Sequence, residues 1–188
     1  WYAVALLTAP LLLAGTLFML SVISPAFLPG IITAERKLDL LLTGVIAGLM
    51  VGILEELGWT GFATPRLLLH HSIFTTGITI GILWGLWHFP LFSGSQDAAD
   101  GVPFVLYLAV LLFSFLPPFR ILMVWVFDHT ESLLITMLMH ASLSASILIL
   151  PPQVTGAQVV AYDLAFAMVL WIVVALVPLK RFAMLATG

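Results

Sequence analysis

The sequence predicts an all-α, polytopic transmembrane helix bundle. Three observations carry that expectation. The chain has 188 residues, 62% of them hydrophobic, and a mean hydropathy of +1.21. Only 8% of its residues are charged, whereas soluble domains carry about 25%. The apolar residues also gather in stretches near the roughly 20 residues that cross a bilayer.

About six spans follow, in order. Residues 3–23 carry no charge. This first stretch is long, lacks a basic leader and shows no convincing cleavage site, so it reads as a span and not a signal peptide. Residues 40–54 are uncharged and run into Glu55 and Glu56. The only titratable group of charge-bearing type in 72–96 is His88, and Arg120 is its counterpart in 104–127. His140 stands alone in 132–150, and Asp163 lies near the start of 159–178. Pro117 and Pro118 are expected to kink the fourth span. The links at 24–37, 93–103, 128–131 and 151–156 are short, so residues 1–188 read as a single integral-membrane domain. The chain begins at Trp1 and not Met, so preceding residues are expected to be missing from it. Arg36 and Lys37 mark one membrane side; Arg66, Lys180 and Arg181, with His70 and His71, mark the other. The positive-inside rule then leans toward a cytoplasmic C-terminus.

Composition excludes several function classes. Six Lys/Arg against nine Asp/Glu give a net charge of −3, which offers no basic footprint for nucleic acid. There is no cysteine. Disulfides, cysteine-bound zinc, iron–sulfur clusters and cysteine nucleophiles are therefore excluded together.

Two glycine stripes lead to titratable groups. Gly44, Gly48 and Gly52 recur every fourth residue, as do Gly77, Gly81 and Gly85. Small residues at this spacing let membrane helices approach closely. At about 100° per residue, Glu55 falls inside the arc of the first stripe, Glu56 just beyond its edge, and His88 inside the second. If the stripes pack on each other or on a shared neighbour, Glu55 and His88 both face the interior. A turn near 70–72 would place both about 25 Å from it, at about 1.5 Å per residue. That requires the second helix to run on past Gly61 and Pro65, with a kink. Plain helix packing is the simpler account of the glycines alone.

Charged groups at bilayer depth cost at least about 2.5 kcal/mol each and are functional candidates. Here they are Glu55, Glu56, His88, Arg120 and His140. The alternative is an ion-pair cluster that only fixes packing. Glu55, His88 and His140 also suggest zinc, since three such ligands plus water is a catalytic pattern. No H-E-x-x-H spacing enforces it. Ser144 follows His140 by one turn, but no G-x-S-x-G elbow accompanies it. A metal-free route needs a glutamate base for water, a cation or donor such as His140 or Arg120 beside it, and an oxyanion donor such as neutral His88.

The motifs stand in order: Glu55-Glu56-Leu57-Gly58-Trp59-Thr60, then Trp84-Gly85-Leu86-Trp87-His88, then His140-Ala141-Ser142-Leu143-Ser144. Together they resemble the CAAX protease and bacteriocin-processing family of intramembrane endopeptidases, also called the abortive-infection family. That family carries E-E-x-x-x-R, aromatic-x-x-x-H and H-x-x-x-N. The resemblance covers residues 55–144. It implies that Glu55 activates water, Glu56 is its partner acid, His88 stabilises the oxyanion and His140 assists the water. It implies no cofactor, with zinc as the alternative. It implies a peptide or prenylated-protein substrate met in the lipid bilayer, cut near a C-terminus or in a membrane-associated peptide. A seat in a prokaryotic cell membrane is expected.

Two positions depart from the pattern. Thr60 stands where the first motif has Arg, and Ser144 where the third has Asn. Ser144 still offers a hydroxyl donor. Glu56 needs another cation, and Arg120 is expected to supply it, ahead of Arg66. Arg120 and His140 lie about ten residues either side of the 128–131 turn and so are level. Trp84, one turn before His88, is expected to hold its ring. Trp59 and Trp87 read as packing, and His70, His71 and His129 as interfacial. Asp163 reads as a solvated acid near a membrane surface. The rival function is a non-catalytic membrane protein, for immunity or peptide or ion binding, that keeps a degenerate site.

Overall fold

A computed structural model describes residues 1–179. Lys180 and Arg181, used above for orientation, lie outside the described residues. Among those described there is no strand. The chain runs through α1 (Tyr2–Ile23), α2 (Gly30–Thr33), α3 (Lys37–Gly58), a π-helical turn (Trp59–Ala63), α4 (Thr64–Leu68), α5 (Ile73–Phe92), α6 (Gln96–Ala99), α7 (Phe104–Phe113), α8 (Leu116–Thr130), α9 (Leu133–Ile149) and α10 (Ala157–Leu176). This is a helical membrane bundle.

Four helical stretches are long and apolar enough to cross a membrane: Tyr2–Ile23, Lys37–Leu68, Phe104–Thr130 and Ala157–Leu176. The shorter α9 is apolar over 17 residues. In α5, of 20 residues, apolar side chains are diluted by threonines, glycines, His88 and Pro90. Its Thr76, Gly77, Gly81, Trp84 and Gly85 are buried inside the bundle. Six apolar stretches thus become helices, but among the described residues only four combine the length and hydropathy of an unaided span. Exposed Leu11, Phe18, Met19 and Val22 on α1, and Ile46, Met50 and Leu54 on α3, form the lipid-facing surface.

Three local features position the site. The second span is longer than residues 40–54. It continues to Leu68, so Glu55 and Glu56 lie mid-helix and not at an end. Pro65 has no N–H for the Gly61 carbonyl. The helix widens there, and both the Thr64 N–H and its hydroxyl bond to the Trp59 carbonyl. Pro117 and Pro118 occupy the first turn of α8, where a missing N–H breaks no helical bond. The kink therefore falls just before them, at Ser114–Phe115. Ser72 caps α5 by accepting the Thr75 N–H at 3.1 Å, which fixes the turn that precedes it.

The glycine stripes do not pack on each other or on one shared helix. The α3 stripe lies on α9: a Cβ at Gly48 would stand 2.5 Å from the Ala141 carbonyl oxygen. The α5 stripe lies on α8 and the end of α7: a Cβ at Gly81 would stand 2.5 Å from Pro117 Cα. Each stripe brings backbone against backbone. The two pairs meet because α8 and α9 are themselves in contact. Leu13 and Leu17 of α1, Phe119 and Met123 of α8, Met139 and Leu143 of α9, and Phe166 and Leu170 of α10 then close one core with Trp84.

Candidate active site

The α3–α9 seam sets Gly52 against Met137 and Ala141. One turn on, Glu56 meets His140, whose Nδ1 donates to Glu56 Oε1 at 2.7 Å. The α5–α8 seam sets Gly81 on Pro117 and Gly77 on Ile121. Arg120 lies between those two contacts and reaches inward to the same carboxylate. Its Nη1 donates to Oε2 and its Nη2 to Oε1, each at 2.9 Å. The Thr60 hydroxyl donates to Oε2 as well. Glu56 and Arg120 are 0% exposed, His140 1% and Thr60 2%.

This is a forked, fully desolvated ion pair with added donors. Such a pair withstands burial only when its geometry is good and its remaining lone pairs are met. Thr60 and His140 meet them. Where the family motif has Arg beside Glu56, this chain has Thr60 on one side and Arg120 from a different helix on the other.

Glu55 lies one residue away and is only half-buried. Its Oε2 accepts the Trp84 indole N–H at 2.8 Å. Trp84 is 1% exposed and joins the parts of the site. Arg120 Cζ sits 4.3 Å from its ring centroid, a cation–π contact. The ring packs edge-on against His140 at 4.9 Å and against His88 at 5.6 Å. The Trp84 carbonyl also accepts from His88 Nδ1 at 2.8 Å. Trp84 thus holds the His88 ring, as the spacing suggests, and holds Glu55 and Arg120 too.

The tautomers follow from the acceptors. A carbonyl and a carboxylate can only accept, so His88 and His140 each carry a proton on Nδ1. In the neutral rings Nε2 is an acceptor. The donor role expected of neutral His88 toward an oxyanion is therefore unavailable to this tautomer. Ser144, half-buried one turn after His140, keeps a hydroxyl that can donate.

A cavity of about 420 Å³ opens beside these groups. Trp84, His88, His140, Ser144 and Asp163 line it, with apolar walls from Leu91, Phe92, Phe115 and Leu143. Asp163 corrects the sequence reading: it is 4% exposed, not solvated. Asp163, Phe166, Leu170 and Val174 recur at helical spacing and share the buried face of α10. Arg66 is not part of the site. It caps the Phe62 carbonyl and lies over the Phe62 ring. Among the described residues, no three His, Cys, Asp or Glu side chains cluster closely enough to hold a metal ion.

In this helical membrane protein a sealed Glu–Arg–His network stands beside a largely apolar cavity. Residues 37–146, more than half of the chain, match the family described as Type II CAAX prenyl endopeptidase Rce1-like. The chain belongs to that family. Over 43 residues it is 49% identical to CAAX prenyl protease 2 of Methanococcus maripaludis. That stretch covers 23% of this chain and 16% of the archaeal protein's length. The family match includes Glu55, Glu56, His88, Arg120, His140 and Ser144, and ends before Asp163.

Proposed function

We propose that this protein is a glutamate-dependent intramembrane endopeptidase acting on a peptide or prenylated protein in the bilayer. The observation that carries this reading is the unequal setting of two adjacent acids. Glu56 has every lone pair engaged by Arg120, Thr60 and His140. It positions; it does not take protons from water. Glu55 has one donor, the Trp84 indole, and remains half-exposed, so it is the base. Family membership and the archaeal relative support peptide hydrolysis as the reaction.

In this mechanism Glu55 removes a proton from water, with His88 Nε2 accepting a hydrogen bond from the same water. The hydroxide attacks the peptide carbonyl carbon. The Ser144 hydroxyl donates to the developing oxyanion. His140, oriented through Nδ1 by Glu56, accepts at Nε2 the proton that Glu55 gained and passes it to the departing amine. The carbon–nitrogen bond then breaks, giving a carboxylic acid and an amine. Glu56 supports the imidazolium that forms in passing, as a carboxylate does for histidine in hydrolytic triads. No step in this reading uses a metal ion, and the reading extends to a protein seated in a prokaryotic cell membrane.

The test is cleavage of a quenched peptide library that includes prenylated C-terminal peptides. The detergent-purified parent is compared with a folded Glu55→Gln variant. Cleavage by the parent alone is expected. Equal cleavage by both would remove Glu55 from the mechanism. Cleavage by neither, across prenylated and unmodified peptides, would favour the non-catalytic alternative.

A further inference from the structure

Asp163 has no task in the reaction just described. It lies in α10 at 4% exposure, and its Oδ2 has no hydrogen-bond partner among the described residues. Tyr162, which also lines the cavity, donates no hydrogen bond to that oxygen. A buried carboxylate without a donor is costly, and buried charges are normally paired. Asp163 lines the same cavity as His88, His140 and Ser144. A cationic group in that cavity would lie against the Asp163 side chain.

Charge and shape define that partner. Arg120 is a buried cation near the site, but both of its Nη groups are committed to Glu56 and its Nε has no partner among the described residues, so it does not bond Asp163. Glu55, Glu56 and Asp163 give the site three acids against one arginine, Arg120. Pro151, Pro152 and Val154 of the α9–α10 link line the same cavity, which holds both histidines and Asp163. The other walls are apolar and suit the aliphatic stem of a long basic side chain, whose head then reaches a carboxylate.

We propose that Asp163 is a substrate-recognition residue that binds the cationic head of a lysine or arginine in the peptide whose bond is cut. This deepens the endopeptidase reading and rests on it for the nature of the occupant.

The probe is a fluorescent apolar heptapeptide carrying one lysine, moved through each position. Norleucine at the same position is the neutral match. Binding is read by anisotropy on the Glu55→Gln protein, and kcat/KM on the parent. One lysine position is expected to bind about tenfold more tightly than its norleucine match, the scale of a hydrogen bond to a charged group. Asp163→Asn is expected to bring that ratio to near one, and Asp163→Glu to keep part of it. The ratio is taken within one protein, so partial unfolding of a variant does not move it. Equal binding of lysine and norleucine peptides by the parent overturns the proposal. So does a ratio that survives Asp163→Asn, because that change removes the negative charge that would select the cation. Lysine preference without cleavage of these peptides or of the prenylated library would overturn the endopeptidase reading and leave the cation site standing. Cleavage without preference would do the reverse.

Discussion

Glu55 and Glu56 are neighbours in the chain and opposites in setting. Glu56 is sealed among Arg120, Thr60 and His140, with no exposed surface. Glu55 touches one indole and stays half-exposed. The difference comes from helical phase. The two residues point about 100° apart on α3. One is carried into the four-helix seam and the other along its edge. Adjacent acids of one type therefore sit in unlike settings, and the proposed mechanism gives them unlike duties. The same division runs through the rest of the site. Arg120 and Thr60 lie on the sealed side, while His88 and Ser144 are half-buried on the cavity side.

That division can be broken from either side. The largest effect is expected at Glu55. Glu55→Gln should lower kcat/KM by about 100- to 10,000-fold, the range for losing a general base, with little change in thermal stability. A melting temperature that falls in step with activity would assign Glu55 to the scaffold instead. On the sealed side, Arg120→Ala should destabilise the protein by about 3–5 kcal/mol, because it strands a buried carboxylate. Combining it with Glu56→Gln should cost less than the two single changes added, since both remove one interaction. Additive losses in denaturant titrations in detergent would show that the pair does not act as a unit.

Smaller effects sharpen the comparison. Gly48→Ala drives a methyl against the Ala141 carbonyl, and overpacking of this kind costs about 1–3 kcal/mol. Gly15→Ala meets nothing within 4 Å and should cost nothing. If both glycines tolerate alanine equally, close α3–α9 contact is not what positions Glu56. Chelation should have the least effect. Activity is expected to be unchanged after exhaustive treatment, and stoichiometric zinc lost with His88→Ala would revive the metal reading.

Much of the framework is legible in the chain because lipid imposes a simple code. Apolar stretches of limiting length become helices, and rare charges among them stand out. The equal spacing of Arg120 and His140 about the 128–131 turn places both on one level, and both reach Glu56. Other features depend on partners that spacing does not reveal. A glycine stripe shows that something approaches, but not which helix does. The α3 and α5 stripes read alike, yet they pack on α9 and on α7–α8. The widened turn at Trp59–Ala63 follows from how Pro65 is accommodated, which a periodic pattern does not encode. Asp163 is misjudged because its distance from the start of the span is read as depth. Which face of α10 turns inward decides its burial, and an almost uniformly apolar helix hides its own faces.

The glycine face of α3 also sets what the lineage can afford to change. Gly44, Gly48 and Gly52 are buried, whereas Ile46, Met50, Leu54 and Leu57 are exposed on the lipid side. One face meets a backbone that cannot retreat; the other meets a fluid that can. Drift along this helix should therefore be rhythmic. In a saturation library, tolerance to bulk will rise and fall about every 3.6 residues, with each minimum on the line that leads to Glu56.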